Sequence, residues 1–253
     1  MAELILVDTK EGVCTISLNR AEKRNALNQD MLKGIIDAFR GVKQVSDVRV
    51  VVLRGAGDGG FCAGADLVGG NNNEGYNVPG MIESVIGCPV PVIAMIRKFA
   101  MGGGCDLASA CDIRIAAENA RIGINPVKIG LVYFPESIQR FIDLVGQGYA
   151  REMFFTGRFF TAQRAREMGF INYVVPEAEL EAATCELARE IAQNAPLSVT
   201  GIKTIINKLT TRHVNAEDKT AMQALVESSM RSEDIIEGAT AFAEKRKPNF
   251  KGK

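Results

Sequence analysis

Two glycine-rich turns, each directly after a strongly apolar segment, constrain the fold of this chain more than any other feature of its sequence. The first turn, GAGDGGFCAGADL (55–67), ends the segment VRVVVLRG (48–55), and the second, MGGGCDL (101–107), follows PVIAMI (91–96). Short runs rich in Val and Ile predict strands that are buried on both faces, as in a parallel sheet. Because NQDMLKGIIDAFRGV (28–42) has the apolar spacing of a helix, the sequence predicts alternating strands and helices, and therefore an α/β fold.

The second turn places three glycines at the start of a predicted helix, where each glycine costs about 1 kcal/mol relative to alanine. Two interpretations of Gly102, Gly103 and Gly104 are open. Tight turns with unusual backbone dihedrals need glycine. Alternatively, one free N–H group from each turn binds the same oxygen as it develops negative charge, which forms an oxyanion hole. Neither turn has the spacing of a P-loop or of a Rossmann dinucleotide site, so the sequence disfavours both.

Charge and cysteine content narrow the class of protein. The chain has 30 Lys and Arg residues against 30 Asp and Glu residues, and this balance disfavours nucleic acid or an anionic membrane as a partner. No apolar run approaches the ~20 residues that span a bilayer, and the N-terminus lacks the pattern of a signal peptide. The six cysteines form no CxxC pair, and the single histidine, His213, leaves a zinc site with few ligands. We therefore predict core cysteines and a reducing, cytoplasmic location.

The pattern changes in the C-terminal part of the chain. After Val175 the apolar residues recur at helical spacing to the end. We therefore predict a core of alternating strands and helices over 1–195 and a helical region over 196–253 that belongs to the same functional unit.

Five segments, spread over nearly the whole chain, carry a family pattern. They are LNRAEKRNALN (18–28), FCAGADL (61–67), PVIAMIRKFAMGGGCDLASACDIRIA (91–116), FTGRFFTAQRAREMGFINYVV (155–175) and EGATAFAEKRKPNFK (237–251). With them the chain resembles the crotonase, or enoyl-CoA hydratase/isomerase, superfamily. The resemblance implies a spiral of β-β-α units with a helical C-terminal trimerisation region, assembled as a homotrimer or a dimer of trimers. It also implies an acyl-CoA thioester substrate, an enolate held in an oxyanion hole, no metal, and no cofactor other than the CoA of the substrate.

By position, the resemblance assigns the two oxyanion N–H groups to Ala65 and Gly103. The hydratases of this family use two glutamates to activate a water. The first position is Asp106 here, which keeps the carboxylate with one methylene less, and the alternative interpretation of Asp106 is a first-turn acid that interacts with the helix dipole. The second position is Pro126, whose side chain exchanges no proton. The sequence therefore disfavours hydration by two glutamates.

Two residues near Pro126 are candidate substitutes. Tyr133 lies where decarboxylases of this family carry a functional tyrosine, although the histidine that accompanies that tyrosine is Ala65 here. A phenol can orient a carboxylate or supply a proton. Glu136 is a candidate replacement acid for a hydratase if the local backbone shifts. The alternatives are a core aromatic residue for Tyr133 and a helix-start acid for Glu136.

The resemblance also implies contacts with the CoA part of the substrate. The residues it assigns to these contacts are Lys23, Arg24, Ala26, Ala63, Asp66, Leu67, Phe242 and Lys245. For the basic residues, the alternative is an ordinary solvated surface charge.

We conclude from the sequence that the chain is an acyl-CoA enzyme that stabilises a thioester enolate, with proton transfer of the isomerase or decarboxylase type. Two alternatives stay open. One is an enoyl-CoA hydratase that uses Asp106 and a replacement acid, and the other is a subunit that binds acyl-CoA without catalysis. Binding to RNA, a property of one member of the superfamily, is disfavoured by the balanced charge.

Overall fold

A six-stranded sheet forms the centre of the molecule. The computed structural model describes residues 3–45, 47–66, 78–210, 220, 224, 227, 228 and 230–249. The strands are β1 (Ile5–Lys10), β2 (Val13–Leu18), β3 (Val50–Gly55), β4 (Val92–Ile96), β5 (Phe99–Met101), β6 (Ile113–Ala117), β7 (Arg121–Gly123), β8 (Phe160–Thr161) and β9 (Tyr173–Val175). The helices are α1 (Gln29–Val42), α2 (Val78–Ile86), α3 (Gly103–Ser109), α4 (Pro135–Thr156), α5 (Ala162–Glu167), α6 (Leu180–Gln193), α7 (Pro196–Thr210) and α8 (Glu233–Ala243).

The central sheet has the strand order β1-β2-β3-β4-β6-β9, with β1 antiparallel to β2 and every other pair parallel. The prediction of a strand buried on both faces within 48–55 is confirmed by β3. Val51 and Leu53 belong to the larger apolar cluster on one face. Val50 and Val52 belong to a second cluster on the other face, where α6 covers the sheet.

The N-terminal elements follow the sequence closely. The two strands expected before residue 20 form the β1–β2 hairpin. The helix expected at 28–42 is α1, which begins after Asn28. The side-chain oxygen of Asn28 accepts a hydrogen bond of 2.9 Å from the Met31 N–H, which satisfies one of the donors that a helix start leaves unpaired.

A small second sheet carries the second glycine-rich turn. In this sheet β5 pairs with β7 in parallel, and β7 pairs with β8 in antiparallel orientation. The sequence did not predict β5 or β8, because strands of three and two residues are too short to show a period of two. This second sheet fixes Met101, the last residue of β5, directly before the turn.

The sequence predicts that a helix follows each glycine-rich turn. The second turn confirms this, because α3 begins at Gly103. For the first turn the prediction is not tested, because residues 67–77 lie outside the described residues. Within the turn, Ala65 forms a bridge with Leu27, and the chain up to Asp66 forms no helix. The next described helix begins at Val78.

Helices dominate the described residues after Val175, as predicted. Lys203 anchors α7 to the central sheet, because its Nζ donates to Asp112 Oδ2 at 2.6 Å and to the Val90 carbonyl at 3.0 Å. The helix that the sequence indicates near 216–230 lies mostly outside the described residues. The division of the chain after residue 195 and the role of the last helices in trimerisation remain predictions.

Five of the six cysteines are buried and Cys185 is exposed, and all six are free thiols. The prediction of core cysteines is therefore confirmed for five of them. Burial raises the pKa of Cys62 and of Cys111 to about 12, so these thiols are neutral packing groups. Among the described helices, none is both long enough and apolar enough to cross a bilayer.

Candidate active site

The two glycine-rich turns meet directly. Cys62 pairs with Ala100, and the Met101 N–H donates to the Cys62 carbonyl at 3.0 Å. At Gly64, φ is +93°, and a Cβ would lie 2.7 Å from the Met101 carbonyl oxygen and 3.1 Å from the Gly103 nitrogen. Only glycine allows the first turn to approach the start of α3 this closely.

Two backbone N–H groups are unpaired where the turns meet. Leu27 donates to the Gly64 carbonyl at 2.7 Å and accepts from the Asp66 N–H at 2.8 Å, so the Ala65 N–H points away from this bridge. The Gly103 N–H belongs to the first residue of α3, where a helix offers no acceptor. Neither N–H has an acceptor within the residues that the structure describes. A Cβ on Gly103 would lie 3.7 Å from the Ala65 nitrogen, so the two donors share one small space.

The three consecutive glycines serve different purposes. Gly102 has φ of +50°, which favours glycine at this position. A Cβ on Gly104 would overlap with the Cys62 carbonyl, so Gly104 is required for packing. The nearest atoms to a Cβ on Gly103 would include the tip of the Leu27 side chain, at 3.3 Å, and the Ala65 nitrogen, at 3.7 Å. Of the three, Gly103 is therefore the one whose side chain would occupy the space between the two donors.

Asp106, in the first turn of α3, is fully buried and accepts hydrogen bonds from four side chains. Its Oδ1 accepts from Arg140 at 2.6 Å and from the Ser109 hydroxyl at 3.3 Å. Its Oδ2 accepts from the Ser137 hydroxyl at 2.9 Å and from the Tyr133 hydroxyl at 3.1 Å. Both oxygens are therefore occupied by donors, one of which carries a full positive charge.

Tyr133 is buried, with its ring against Phe134 and Phe154. Burial raises the pKa of the Tyr133 hydroxyl well above its usual value, and the negative charge of Asp106 and the hydrogen bond to it act in the same direction. The phenol is therefore neutral at physiological pH, and its proton is engaged by Asp106.

Glu136 and Pro126 do not complete a pair of carboxylates with Asp106. Glu136 is exposed in the first turn of α4, while its neighbour Ser137 faces Asp106. Pro126 is buried at the start of a short 3-10 helix. In the described parts of the chain, no three Cys, His, Asp or Glu side chains come close enough together to hold a metal ion.

Sequence reasoning missed Ser137 and Arg140. Together with Tyr133 they have the spacing i, i+4, i+7, which places successive side chains on one face of a helix. This spacing is the sequence signal from which the two residues could have been predicted, because it aligns a serine and an arginine with the buried aromatic residue Tyr133. Which distant group this face meets depends on how α4 packs against α3, and the sequence does not specify that.

Two loops that contain predicted CoA contacts lie side by side. The Ala63 N–H donates to the Arg24 carbonyl at 3.1 Å, which joins the segment 23–26 to the first glycine-rich turn. The side chains of Lys23 and Arg24 are exposed, as CoA-binding cations would be. Asp66 is paired with Arg20 at 2.6 Å, so its carboxylate already has a cationic partner within the chain.

The remaining predicted CoA contacts are placed differently. Leu67 lies outside the described residues. Ala26 is half-buried in the same loop as Lys23. Phe242 lies on α8 and Lys245 follows that helix, and both side chains are exposed. The structure brings the first loop and the two turns together, and it places Phe242 and Lys245 on a separate element.

The similarity of this chain to known proteins extends over nearly its whole length. A family model described as enoyl-CoA hydratase/isomerase matches residues 8–253. The putative enoyl-CoA hydratase/isomerase YngF of Bacillus subtilis is 35% identical over 263 aligned positions, which cover 100% of both chains. A short-chain-enoyl-CoA hydratase of Clostridium acetobutylicum is 37% identical over 251 positions and covers 94% of each chain.

Among solved structures, methylmalonyl-CoA decarboxylase in complex with 2-nitronate-propionyl-CoA superimposes with a TM-score of 0.91 at 30% identity, over 100% of both chains. The enoyl-CoA hydratase of Bacillus anthracis superimposes with a TM-score of 0.76 at 36% identity, over 99% of this chain and 100% of that one. These matches confirm the crotonase-like α/β fold expected from the sequence, and they include both hydratases and a decarboxylase. The chain therefore belongs to the enoyl-CoA hydratase/isomerase family of the crotonase superfamily, and it is an enzyme that processes acyl-CoA.

Proposed function

We propose that this enzyme is a decarboxylase of malonyl-type CoA thioesters, in which a carboxylate is bonded to the carbon next to the thioester carbonyl. When that carbon–carbon bond breaks, CO₂ leaves and the electron pair passes to the thioester as an enolate. One proton from solvent then completes the acyl-CoA product. The enolate oxygen would lie about 3 Å from the N–H groups of Ala65 and Gly103, the distance at which such donors stabilise it.

One observation carries the choice of decarboxylation: both carboxylate oxygens of Asp106 are occupied by donors from the protein. Isomerisation needs a base that takes a proton from one carbon and returns it to another, and hydration needs a base that takes a proton from water. Decarboxylation generates the enolate without removing a proton. A site with paired oxyanion donors and an occupied carboxylate fits that requirement best.

Hydration is the second candidate, because a relative 37% identical to this chain is named a short-chain-enoyl-CoA hydratase. The residues that a hydratase would need are poorly placed for it. Pro126 stands at the second carboxylate position, and Glu136 is exposed rather than directed at Asp106. The similarity to methylmalonyl-CoA decarboxylase, whose structure holds 2-nitronate-propionyl-CoA, supports the first candidate.

The test is to incubate the purified enzyme separately with malonyl-CoA, methylmalonyl-CoA, crotonyl-CoA and a 3-enoyl-CoA, and to identify the products by mass spectrometry. We expect loss of CO₂ from the malonyl-type substrates. We expect hydration of crotonyl-CoA with a kcat/KM below about 10⁴ M⁻¹s⁻¹, the lower end of the ordinary range. Pro126→Glu, which supplies the missing carboxylate, should raise that hydration rate if the backbone tolerates it.

Three outcomes would contradict the proposal. Efficient hydration of crotonyl-CoA by the unmodified enzyme, near 10⁶ M⁻¹s⁻¹ or above on the scale where enzymes reach about 10⁸, would favour a hydratase with a replacement acid. Conversion of the 3-enoyl-CoA without loss of CO₂ would favour an isomerase. Tight binding of every thioester without any product would favour a subunit that only binds acyl-CoA.

A further inference from the structure

The cationic partner of Asp106 lies on a different helix. The Asp106 side chain has no exposed surface, and that of Arg140, on α4, is 14% exposed. The two groups are joined by a hydrogen bond of 2.6 Å between Arg140 and Oδ1. A carboxylate buried to this degree is costly to ionise unless an opposite charge and hydrogen bonds compensate it. Arg140 supplies that charge.

Arg140 also makes two contacts that fix its orientation. Its Nε donates to the Ser109 hydroxyl at 2.8 Å, and one terminal nitrogen donates to Ser137 at 3.0 Å as well as to Asp106. Ser109 and Ser137 are themselves donors to Asp106. The planar guanidinium thus joins α3 to α4 through connected hydrogen bonds, which together hold it in one orientation.

The charge of Asp106 determines which way the Tyr133 hydroxyl points. An ionised carboxylate accepts hydrogen bonds and donates none, so the Tyr133 proton is directed at Asp106 Oδ2. The lone pairs of the phenol oxygen then remain for a partner outside this cluster. Asp106 lies three residues after Gly103 on α3, which places the cluster within one helical turn of the two unpaired N–H groups.

We propose that Arg140 is a positioning residue of this enzyme. It holds Asp106 as a carboxylate, Asp106 accepts the hydrogen bond of the Tyr133 hydroxyl, and the lone pairs of the Tyr133 oxygen are thereby presented to the substrate pocket as a hydrogen-bond acceptor. In the proposed decarboxylation, on which this inference rests, that acceptor holds the water that delivers a proton to the enolate carbon. The water gives one proton to carbon and recovers one from solvent, while Asp106 and Tyr133 keep their protonation states.

The groups that face Asp106 come from its own helix, from the segment before α4 and from α4. On its own helix these are Ser109 and Cys105, a thiol whose pKa burial raises well above its usual value. From the segment before α4 comes Tyr133, whose pKa is also raised. From α4 itself come Ser137 and Arg140. Replacing Arg140 leaves the buried Asp106 carboxyl group without the positive charge that compensates its burial.

The kinetic test compares Arg140→Met with Arg140→Lys over pH 5 to 9. The Met variant keeps the apolar stem and removes the charge. We expect its kcat at neutral pH to fall about 100-fold, the scale of a small misplacement of a catalytic group, with KM within about twofold of the wild type. Because a buried charge without a partner is costly, we expect kcat of this variant to rise with pH, a dependence absent from the wild type. The Lys variant retains the charge, and we expect its kcat at neutral pH to be at least tenfold higher than that of the Met variant.

A spectroscopic test needs no substrate. The chain has four tyrosines, so with ¹³C-labelled tyrosine the ring-carbon signal next to the Tyr133 hydroxyl can be assigned by its loss in Tyr133→Phe. We expect this signal to shift in the Met variant at pH 6 and to return towards the wild-type position at pH 9 and in the Lys variant. If the wild type decarboxylates nothing, the proposed function fails, while this measurement still decides the role of Arg140.

The matched control is Lys203→Met, which breaks another ion pair with a contact of 2.6 Å, between the buried Lys203 and Asp112, at the amino end of β6. This variant should lower the melting temperature and leave both the pH profile and the Tyr133 signal unchanged. The inference is overturned if Arg140→Met lowers kcat equally at every pH, if Arg140→Lys loses as much as Arg140→Met, or if the Tyr133 signal does not move. Each of these results would reduce Arg140 to a purely structural link between α3 and α4.

Discussion

At Gly103, the requirements of folding can be tested separately from the proposed role in catalysis. Its φ lies outside the left-handed region, and an added Cβ would meet only the flexible tip of Leu27, at 3.3 Å. We expect Gly103→Val to fold, because Leu27 can yield by a few tenths of an ångström. We expect its kcat to fall about 100- to 1,000-fold, the usual effect of losing one oxyanion donor, because the side chain enters the space beside the Ala65 nitrogen. Steady-state kinetics and thermal denaturation measure the two effects separately.

Two other glycines provide the comparison for this variant. Gly148→Val, at an exposed site with nothing within 4 Å of its Cβ, should leave kcat unchanged. Gly104→Val should destabilise the fold, since its Cβ would overlap with the Cys62 carbonyl. A well-folded Gly103→Val enzyme with wild-type kcat would show that the substrate oxygen does not bind here.

The sequence predicted backbone sites better than side-chain networks. Gly64 and Gly104 are recognisable because a close approach of the backbone demands glycine locally, and the sequence shows that demand at the position itself. Arg140 could not be found in the same way, because an arginine on a helix is usually solvated. Its role depends on Asp106, 34 residues earlier, and hence on the packing of α4 against α3.

At the scale of elements, two glycines allow α8 to pack closely against the 3-10 helix of residues 126–129. A Cβ on Gly238 would lie 2.6 Å from the backbone of Ile129, and one on Gly130 would lie 2.8 Å from the backbone of Asp234. We expect Gly238→Ala to push α8 away, at a cost of about 1–3 kcal/mol in the free energy of unfolding. Because α8 carries Phe242, we also expect KM for CoA thioesters to rise more than kcat falls.

Chemical denaturation, hydrogen exchange of the α8 amides and steady-state kinetics measure these effects. Gly41→Ala, in α1, is the control because nothing lies within 4 Å of its Cβ. This variant should be as stable as the wild type or slightly more so, since alanine is favoured over glycine in a helix. Unchanged KM in a Gly238→Ala enzyme with loosened α8 would separate this helix from CoA binding.

The elements that the sequence predicted are those with enough residues to show a period. β3 and α1 are long and strongly patterned, and both lie where the sequence places them. β5 and β8 are too short to carry such a signal, and they exist because the chain around the second turn provides partners for them. The helix expected after the first turn falls on residues that the structure does not describe. Within that turn, the bridge between Leu27 and Ala65 is a contact that only the tertiary fold supplies.

For the whole molecule, the candidate site lies where parallel sheets usually bind ligands. The first turn leaves the carboxyl end of β3, and the second follows the neighbouring strand β4 by way of β5. Ligands bind in open α/β sheets at the carboxyl ends of the strands. The buried strands can therefore hold the two turns, with the unpaired N–H groups of Ala65 and Gly103, in a fixed position relative to each other.

The outer surface of α7 is apolar, and this surface predicts how the chain assembles with copies of itself. Large apolar side chains on this helix are exposed in the single chain: Leu197 (88%), Ile202 (58%), Ile205 (58%), Ile206 (53%) and Leu209 (79%). A contiguous apolar surface of this kind usually marks a contact with another protein. We expect the chain to form a trimer or hexamer through this helix. Light scattering coupled to size-exclusion chromatography measures the assembly directly.

Replacing two residues on one face of α7 tests the interface itself. Ile202 and Ile206 are four positions apart and therefore neighbours on the helix surface. Ile202→Glu with Ile206→Glu places two charges there, which would be buried without partners on assembly and cost several kcal/mol, so we expect a smaller species or a monomer. Val7→Glu, at an equally exposed position on the edge strand β1, should leave the assembly intact. A monomeric wild type would contradict the predicted oligomer, and an unchanged assembly in the double variant would place its interface away from this face of α7.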